Sequence, residues 1–145
     1  MGECIKSIDF NSYFVSKTKV PIIICTQEQK VKIDVGKFKK YKINMDFVTR
    51  MLSYDAGIKK LEVTNTMRQL LDLQDKPIVL LDFEALFDPI YDVDVIKLFE
   101  DLGKSNRLII KWCGEYKNDE LIFSKPENDD YHKYKIKNYN IFCVV

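Results

Sequence analysis

Residues 76–89 read Lys-Pro-Ile-Val-Leu-Leu-Asp-Phe-Glu-Ala-Leu-Phe-Asp-Pro, and their pattern indicates the fold class. A proline opens four consecutive aliphatic residues, and Asp82 closes them. A run of this length is too short to cross a membrane and is typical of a strand buried on both faces of a parallel sheet. Because open α/β sheets bind ligands at the carboxyl ends of their strands, Asp82 and the nearby Glu84 are candidate functional residues.

Similar aliphatic runs recur along the chain and alternate with helical patterns. The predicted strands are residues 20–25, 41–45, 77–82 and 107–112, and the predicted helices are residues 4–18, 46–54, 60–73 and 95–102. This alternation predicts a single α/β domain over residues 1–145, with a mostly parallel sheet and helices on both faces. The short apolar segments 121–123, 134–136 and 141–145 predict a hairpin-like C-terminal edge of that sheet. The pattern of residues 31–40 fits a strand or a helix; the alternation of strands and helices favours a helix, which Gly36 weakens.

The composition predicts a globular cytoplasmic protein. Apolar residues make up 46% of the chain and charged residues 31%, which is ordinary for a folded domain. No apolar stretch is long enough to span a membrane, and the start of the chain lacks a signal-peptide core. The four cysteines (Cys4, Cys25, Cys113 and Cys143) are widely spaced and His132 is the only histidine, so neither a disulfide framework nor a zinc site is expected.

The acidic strand resembles that of P-loop NTPases, in which a strand-end carboxylate faces Mg²⁺. In that interpretation Asp82 holds the metal through water and Glu84 polarises the attacking water, so both are catalytic candidates. The structural alternative is that Asp82 caps a turn at residues 83–87.

The phosphate loop expected of a P-loop NTPase is missing from the sequence. Such a loop is glycine-rich and ends in Lys-Ser or Lys-Thr, so that backbone N–H groups can wrap the phosphates. Here Cys25 is followed by Thr-Gln-Glu-Gln-Lys, and no glycine occurs before Gly36. Thr26 and Lys30 are the remaining candidates for nucleotide binding, and an ordinary strand-to-helix turn is the alternative.

Charge is unevenly distributed although the net charge is only +1. Basic residues predominate in residues 1–60, and acidic residues predominate in residues 61–103. The densest basic run continues from Lys30 through Lys32, Lys37, Lys39, Lys40 and Lys42. Its last five lysines are candidates for binding nucleic-acid phosphates, and a solvated face that keeps the protein soluble is the alternative.

Residues 79–89, Val-Leu-Leu-Asp-Phe-Glu-Ala-Leu-Phe-Asp-Pro, resemble the acidic-strand motif of the BrxF family. BrxF proteins are the small P-loop proteins of type-3 bacteriophage-exclusion (BREX) systems. The similarity extends over residues 41–45 with the helix that follows them, and over residues 94–102, 107–114 and 121–131. It implies a cytosolic prokaryotic phage-defence component whose partners are other proteins of the system, including a methyltransferase and an ATPase. This chain departs from the family at the phosphate loop, so nucleotide binding does not carry over.

Three hypotheses follow from these observations. The first is a pseudo-NTPase, an interaction module with a P-loop-like fold and no catalysis, which needs no cofactor. The second is an atypical ATPase that uses Lys30, Asp82 and Glu84 with ATP and Mg²⁺. The third is a nucleic-acid-binding module that uses the basic run. The sequence favours the first and leaves the oligomeric state open.

Overall fold

The computed structural model of the chain describes residues 1–26, 37–75 and 77–145. The helices are α1 (Ser12–Lys17), α2 (Asn44–Met51), α3 (Ala56–Asp72) and α4 (Val95–Leu102). The strands are β1 (Glu3–Ile5), β2 (Ile22–Ile24), β3 (Lys39–Lys42), β4 (Ile78–Leu81), β5 (Leu108–Lys111), β6 (Glu115–Lys117), β7 (Glu120–Phe123), β8 (His132–Lys135) and β9 (Phe142–Val144). Short 3₁₀ turns occupy Ser7–Asp9, Glu84–Phe87 and Ile136–Asn138.

Six of these strands form one sheet in the order β1-β9-β2-β5-β4-β3, and every pair in it is parallel. The central strands are continuous aliphatic runs because both of their faces are covered. Ile23 of β2, for example, lies between Ile110 of β5 and Cys143 of β9 and is fully buried. The predicted α/β class with a parallel sheet is confirmed.

Helices cover both faces of this sheet, as predicted. Ile23 points into the larger apolar core, where α2, α3 and α4 contribute residues such as Phe47, Met67 and Phe99. Its neighbours in β2 point into a second cluster, where α1 contributes Val15. Successive side chains of a strand face opposite sides of a sheet, so one short strand serves both cores.

The C-terminal part of the chain differs from the prediction. β6, β7 and β8 form a separate antiparallel sheet in that order, and β9 enters the parallel sheet between β1 and β2. The prediction of a hairpin-like edge on the main sheet is therefore wrong. Apolar alternation identifies a strand, but the partner of that strand is decided by contacts far away in the sequence.

The small sheet packs on the large core through aromatic rings. Phe123 of β7 stacks on Phe87 with 3.8 Å between the ring centroids, and Trp112 contacts both Phe87 and Tyr134 of β8. Gly114 turns the chain from β5 into the small sheet, where any Cβ would collide with the backbone carbonyl of Ile122. A glycine is needed there because two backbones approach closely.

Local boundaries also differ from the predictions. The predicted helix at 4–18 is wrong in its first half, since residues 3–5 pair with β9 as a strand. α1 begins only after Asn11, whose side chain accepts a hydrogen bond from Phe14 N–H at 2.9 Å. The ambiguous residues 31–36 lie outside the described residues. None of the helices described here is long and apolar enough to cross a lipid bilayer.

Candidate functional site

The connections between strands run toward opposite sides of the sheet on leaving two neighbouring parallel strands, β2 and β5. From β2 the chain continues to β3 at one edge of the sheet, whereas from β5 it continues to β9 on the opposite side. Such a reversal of the connections is a topological switch point, and the crevice at the carboxyl ends of these strands is the usual ligand site of open α/β sheets. Thr26 follows β2 at this edge, Lys111 ends β5, and Asp82 follows the next strand, β4.

Lys111 ties the ends of β2 and β5 together. Its Nζ donates a hydrogen bond to the Thr26 carbonyl oxygen at 2.7 Å, and Trp112 N–H donates to the Ile24 carbonyl oxygen at 2.9 Å. Thr26, a candidate for nucleotide binding, is thus held at the switch point. Lys30, the other candidate, lies outside the described residues. Lys111 was not predicted from the sequence, where its only signal is a lysine directly after three aliphatic residues.

Asp82 lies exposed at the carboxyl end of β4 with a left-handed backbone, φ = 48°. Aspartate tolerates this conformation better than most residues, but it still costs about 1–2 kcal/mol. The following 3₁₀ turn begins after Phe83 and has no side-chain cap, so the alternative in which Asp82 caps this turn is wrong. Strained residues of this kind concentrate at functional sites.

Asn44, at the start of α2, holds the acidic loop instead. Its Nδ2 donates to a Glu84 carboxylate oxygen at 2.7 Å, and its Oδ1 accepts from Ala85 N–H at 3.0 Å. The backbone N–H of Asn44 also donates to the Asp82 carbonyl oxygen at 2.9 Å. Asn44 therefore holds the Glu84 carboxylate with its side chain and the Asp82 backbone with its own backbone N–H, and it was not predicted from the sequence.

Cys113 lies just after β5, close to Glu84 and Asp82. Burial raises the pKa of its thiol, and the negative charges of Glu84 and Asp82 raise that pKa further. The two carboxylates and the thiol therefore share one electrostatic environment.

Across residues 1–26, 37–75 and 77–145, no group of three or more histidine, cysteine or acidic side chains is arranged to hold a metal ion. Asp82 as a water-mediated Mg²⁺ residue stays a prediction.

The described part of the basic run lies along β3 at one edge of the parallel sheet, away from the switch point between β2 and β5. Lys39, Lys40 and Lys42 belong to β3, an edge strand of the parallel sheet, and Lys37 lies two residues before that strand begins. All four are exposed, and Lys39 Nζ donates to Gln74 at 2.9 Å. Lys32 lies outside the described residues. A nucleic-acid interface on this edge stays a prediction.

The chain matches no protein-family model, no curated protein and no solved structure.

Proposed function

We propose that this protein is an interaction component of a prokaryotic phage-defence complex, built on a P-loop NTPase-like domain that has lost catalysis. One observation carries the proposal: the acidic strand ends at the sheet edge with Asp82, but no glycine separates Cys25 from Gly36 where the phosphate loop belongs. Glycine allows backbone N–H groups to approach a phosphate closely, so the chemistry that would bind nucleotide is absent from this part of the sequence.

The contacts at the sheet edge support a structural use of its charged groups. Lys111 donates to the Thr26 carbonyl, and Glu84 accepts from Asn44. These contacts give Lys111 and Glu84 structural roles at this edge of the sheet, joining β2 to β5 and the acidic loop to α2.

The resemblance of residues 79–89 to the BrxF motif supports the biological context. It implies a cytoplasmic protein whose partners are other proteins of a BREX-like system, among them a methyltransferase and an ATPase. Contact with DNA would then be shared with those partners.

An atypical ATPase that uses Asp82 and Lys30 with ATP and Mg²⁺ is the second candidate function. The observation in its favour is the strained, exposed backbone of Asp82 at the ligand-binding edge of the sheet.

A thermal melt with and without millimolar Mg²⁺-ATP separates the two functions. A ligand present at 100 times its dissociation constant adds about 2.7 kcal/mol to the free energy of unfolding. For a domain of this size, that gain raises Tm by roughly 5–15 °C. The proposal expects no rise in Tm and no ATP hydrolysis.

The matched variants are Asp82→Asn and Asp92→Asn. Both positions are exposed aspartates with left-handed backbones, at φ = 48° and 46°, and asparagine tolerates that conformation. A nucleotide-dependent rise in Tm that Asp82→Asn abolishes and Asp92→Asn preserves would overturn the proposal in favour of the ATPase.

A further inference from the structure

An open cleft of about 800 Å³ adjoins the candidate site. It lies between the start of α2, the turn Glu84–Phe87 and the loop that follows β7. Its lining contains five carboxylates and, among the described residues, no lysine or arginine; the carboxylates are Glu84, Asp88, Glu127, Asp129 and Asp130. The remaining lining is mainly apolar and includes Met45, Val48, Ala85 and Pro89.

The apolar part of the cleft continues along α2. Met45, Val48 and Leu52 follow one another at i, i+3 and i+7 and so share one side of the helix. Their exposed fractions are 76%, 37% and 71%, whereas Phe47 and Met51 on another side are buried in the core. We name these three residues the α2 stripe. Among the described residues, Met45 and Leu52 are largely uncovered and Val48 is partly covered.

The acidic walls of the cleft are not neutralised by described neighbours. The ion pairs that the described residues form involve Asp92, Glu100 and Asp101, and none involves a carboxylate of the cleft. Asp88 and Glu84 accept hydrogen bonds from uncharged groups only, from Ile90 N–H and from Asn44. The described residues that line the cleft therefore carry net negative charge.

The walls of the cleft are also held in shape. Asn128 donates to Ser124 Oγ at 3.0 Å, and its backbone N–H donates to the Lys125 carbonyl at 2.9 Å. On the other side, Asn44 fixes Glu84 and Ala85. A preorganised surface loses less conformational entropy when a partner binds.

We propose that this cleft docks a basic segment of a partner protein. Apolar side chains of the segment sit on the α2 stripe, and its lysines and arginines face the acidic walls. This arrangement matches the anatomy of protein interfaces, in which an apolar centre supplies affinity and complementary charge supplies specificity and speed of association. Nucleic acid and anionic membranes are repelled by the same negative charge. The inference rests on the proposed interaction role and names the chemistry of the partner.

The test uses a fluorescein-labelled amphipathic helix of leucine and lysine, roughly 14 residues or four turns long. A twin with glutamate in place of every lysine controls for charge. Binding is followed by fluorescence anisotropy at two salt concentrations. We expect the lysine peptide to bind, more weakly at high salt, and the glutamate peptide not to bind.

Two double variants locate the binding. Asp88→Asn with Asp129→Asn neutralises the walls, and Met45→Ser with Val48→Ser removes the apolar contact. Their matched controls are Asp72→Asn with Asp75→Asn, and Leu61→Ser with Leu73→Ser, which alter exposed residues away from the cleft. We expect each cleft pair to weaken Kd about tenfold, or 1.4 kcal/mol, and each control pair to leave Kd within about twofold. Thermal melts confirm that the variants are folded.

Amide chemical shifts give an independent map. We expect perturbations confined to residues 44–52, 84–90 and 124–131. Equal weakening by the control pairs, shifts centred elsewhere, or no binding of the lysine peptide would overturn the proposal. Preference for a single-stranded oligonucleotide would also overturn it. So would self-association in sedimentation that the Met45→Ser, Val48→Ser pair abolishes, because the stripe would then be covered by a second copy.

The two proposals fail separately. ATP hydrolysis by a protein that still docks the peptide overturns only the loss of catalysis. Absence of docking in a protein without hydrolysis overturns only the docking site.

Discussion

At the scale of single residues, Asn44 controls the geometry of the acidic loop. Substitution by alanine leaves Ala85 N–H and the Glu84 carboxylate without their partner. We expect Asn44→Ala to lower the free energy of unfolding by about 1–3 kcal/mol, measured by urea denaturation. Asn65→Ala, at an exposed position in the middle of α3, is the matched control. Equal stability of the two variants would show that the Asn44 contacts carry no net free energy.

The thiol of Cys113 reports on the charge of both candidate carboxylates. Its pKa is raised first by burial and then by Glu84 and Asp82. Glu84→Gln removes one negative charge, lowers the thiol pKa and so increases the thiolate fraction at any pH below that pKa. We expect iodoacetamide to alkylate Cys113 faster in Glu84→Gln than in the unsubstituted protein. The rate is measured by mass spectrometry of the labelled peptide.

The control for that measurement is Glu115→Gln, which removes an exposed carboxylate only two positions from Cys113 in the chain. If both variants accelerate alkylation equally, the effect comes from general loosening of the sheet edge and not from the charge of Glu84.

Single residues also show what the sequence can predict about the site. Asp82 and Glu84 were identifiable because a buried strand and the carboxylate that ends it lie in one continuous stretch. Asn44 and Lys111 were not, because each acts across the fold: Asn44 on Glu84, 40 residues away, and Lys111 on Thr26, 85 residues away. Such contacts depend on strand order, which no local pattern encodes.

At the scale of elements, α4 depends on its first residue for stability. Asp94 accepts from Lys97 N–H at 3.0 Å as the N-cap, and its second oxygen accepts from Tyr139 O–H at 2.7 Å. We expect Asp94→Ala to destabilise the protein by about 1–3 kcal/mol, because both donors lose their acceptor. Asp101→Ala, which removes only surface ion pairs from the same helix, is expected to change stability by less than about 1 kcal/mol. Equal losses in thermal or urea denaturation would contradict the role of the cap.

A comparison of α4 with β1 shows which elements can be predicted from local sequence signals. α4 was predicted with its observed boundaries because cap, apolar face and final glycine are all local signals. β1 was taken for the start of a helix because Ile5 and Ile8 have helical spacing, yet residues 3–5 pair with β9. Tertiary pairing overrides such weak propensity in a short segment.

At the scale of the whole molecule, the two sheets share one apolar core. Trp112, the only tryptophan in the sequence, packs against Phe83 and Phe87 on the side of the large sheet and against Tyr134 on the small one. We expect tryptophan fluorescence and far-ultraviolet circular dichroism to report the same single unfolding transition. Leu121→Ala truncates a fully buried side chain of β7. We expect it to lower the free energy of unfolding by about 2–5 kcal/mol, with the same loss reported by both signals. Two separate transitions would mean that the small sheet unfolds on its own.

The position of β9 between β1 and β2 determines when the sheet can be completed during synthesis. Residues 3–5 leave the ribosome well before residues 142–144, with which they pair. At a translation rate of about 5–20 residues per second, β1 waits on the order of ten seconds for its partner. During that interval one side of β2 also presents unpaired N–H and C=O groups, which can recruit strands from other chains. Slower translation lengthens this interval, and with it the time in which such pairing can compete with completion of the sheet.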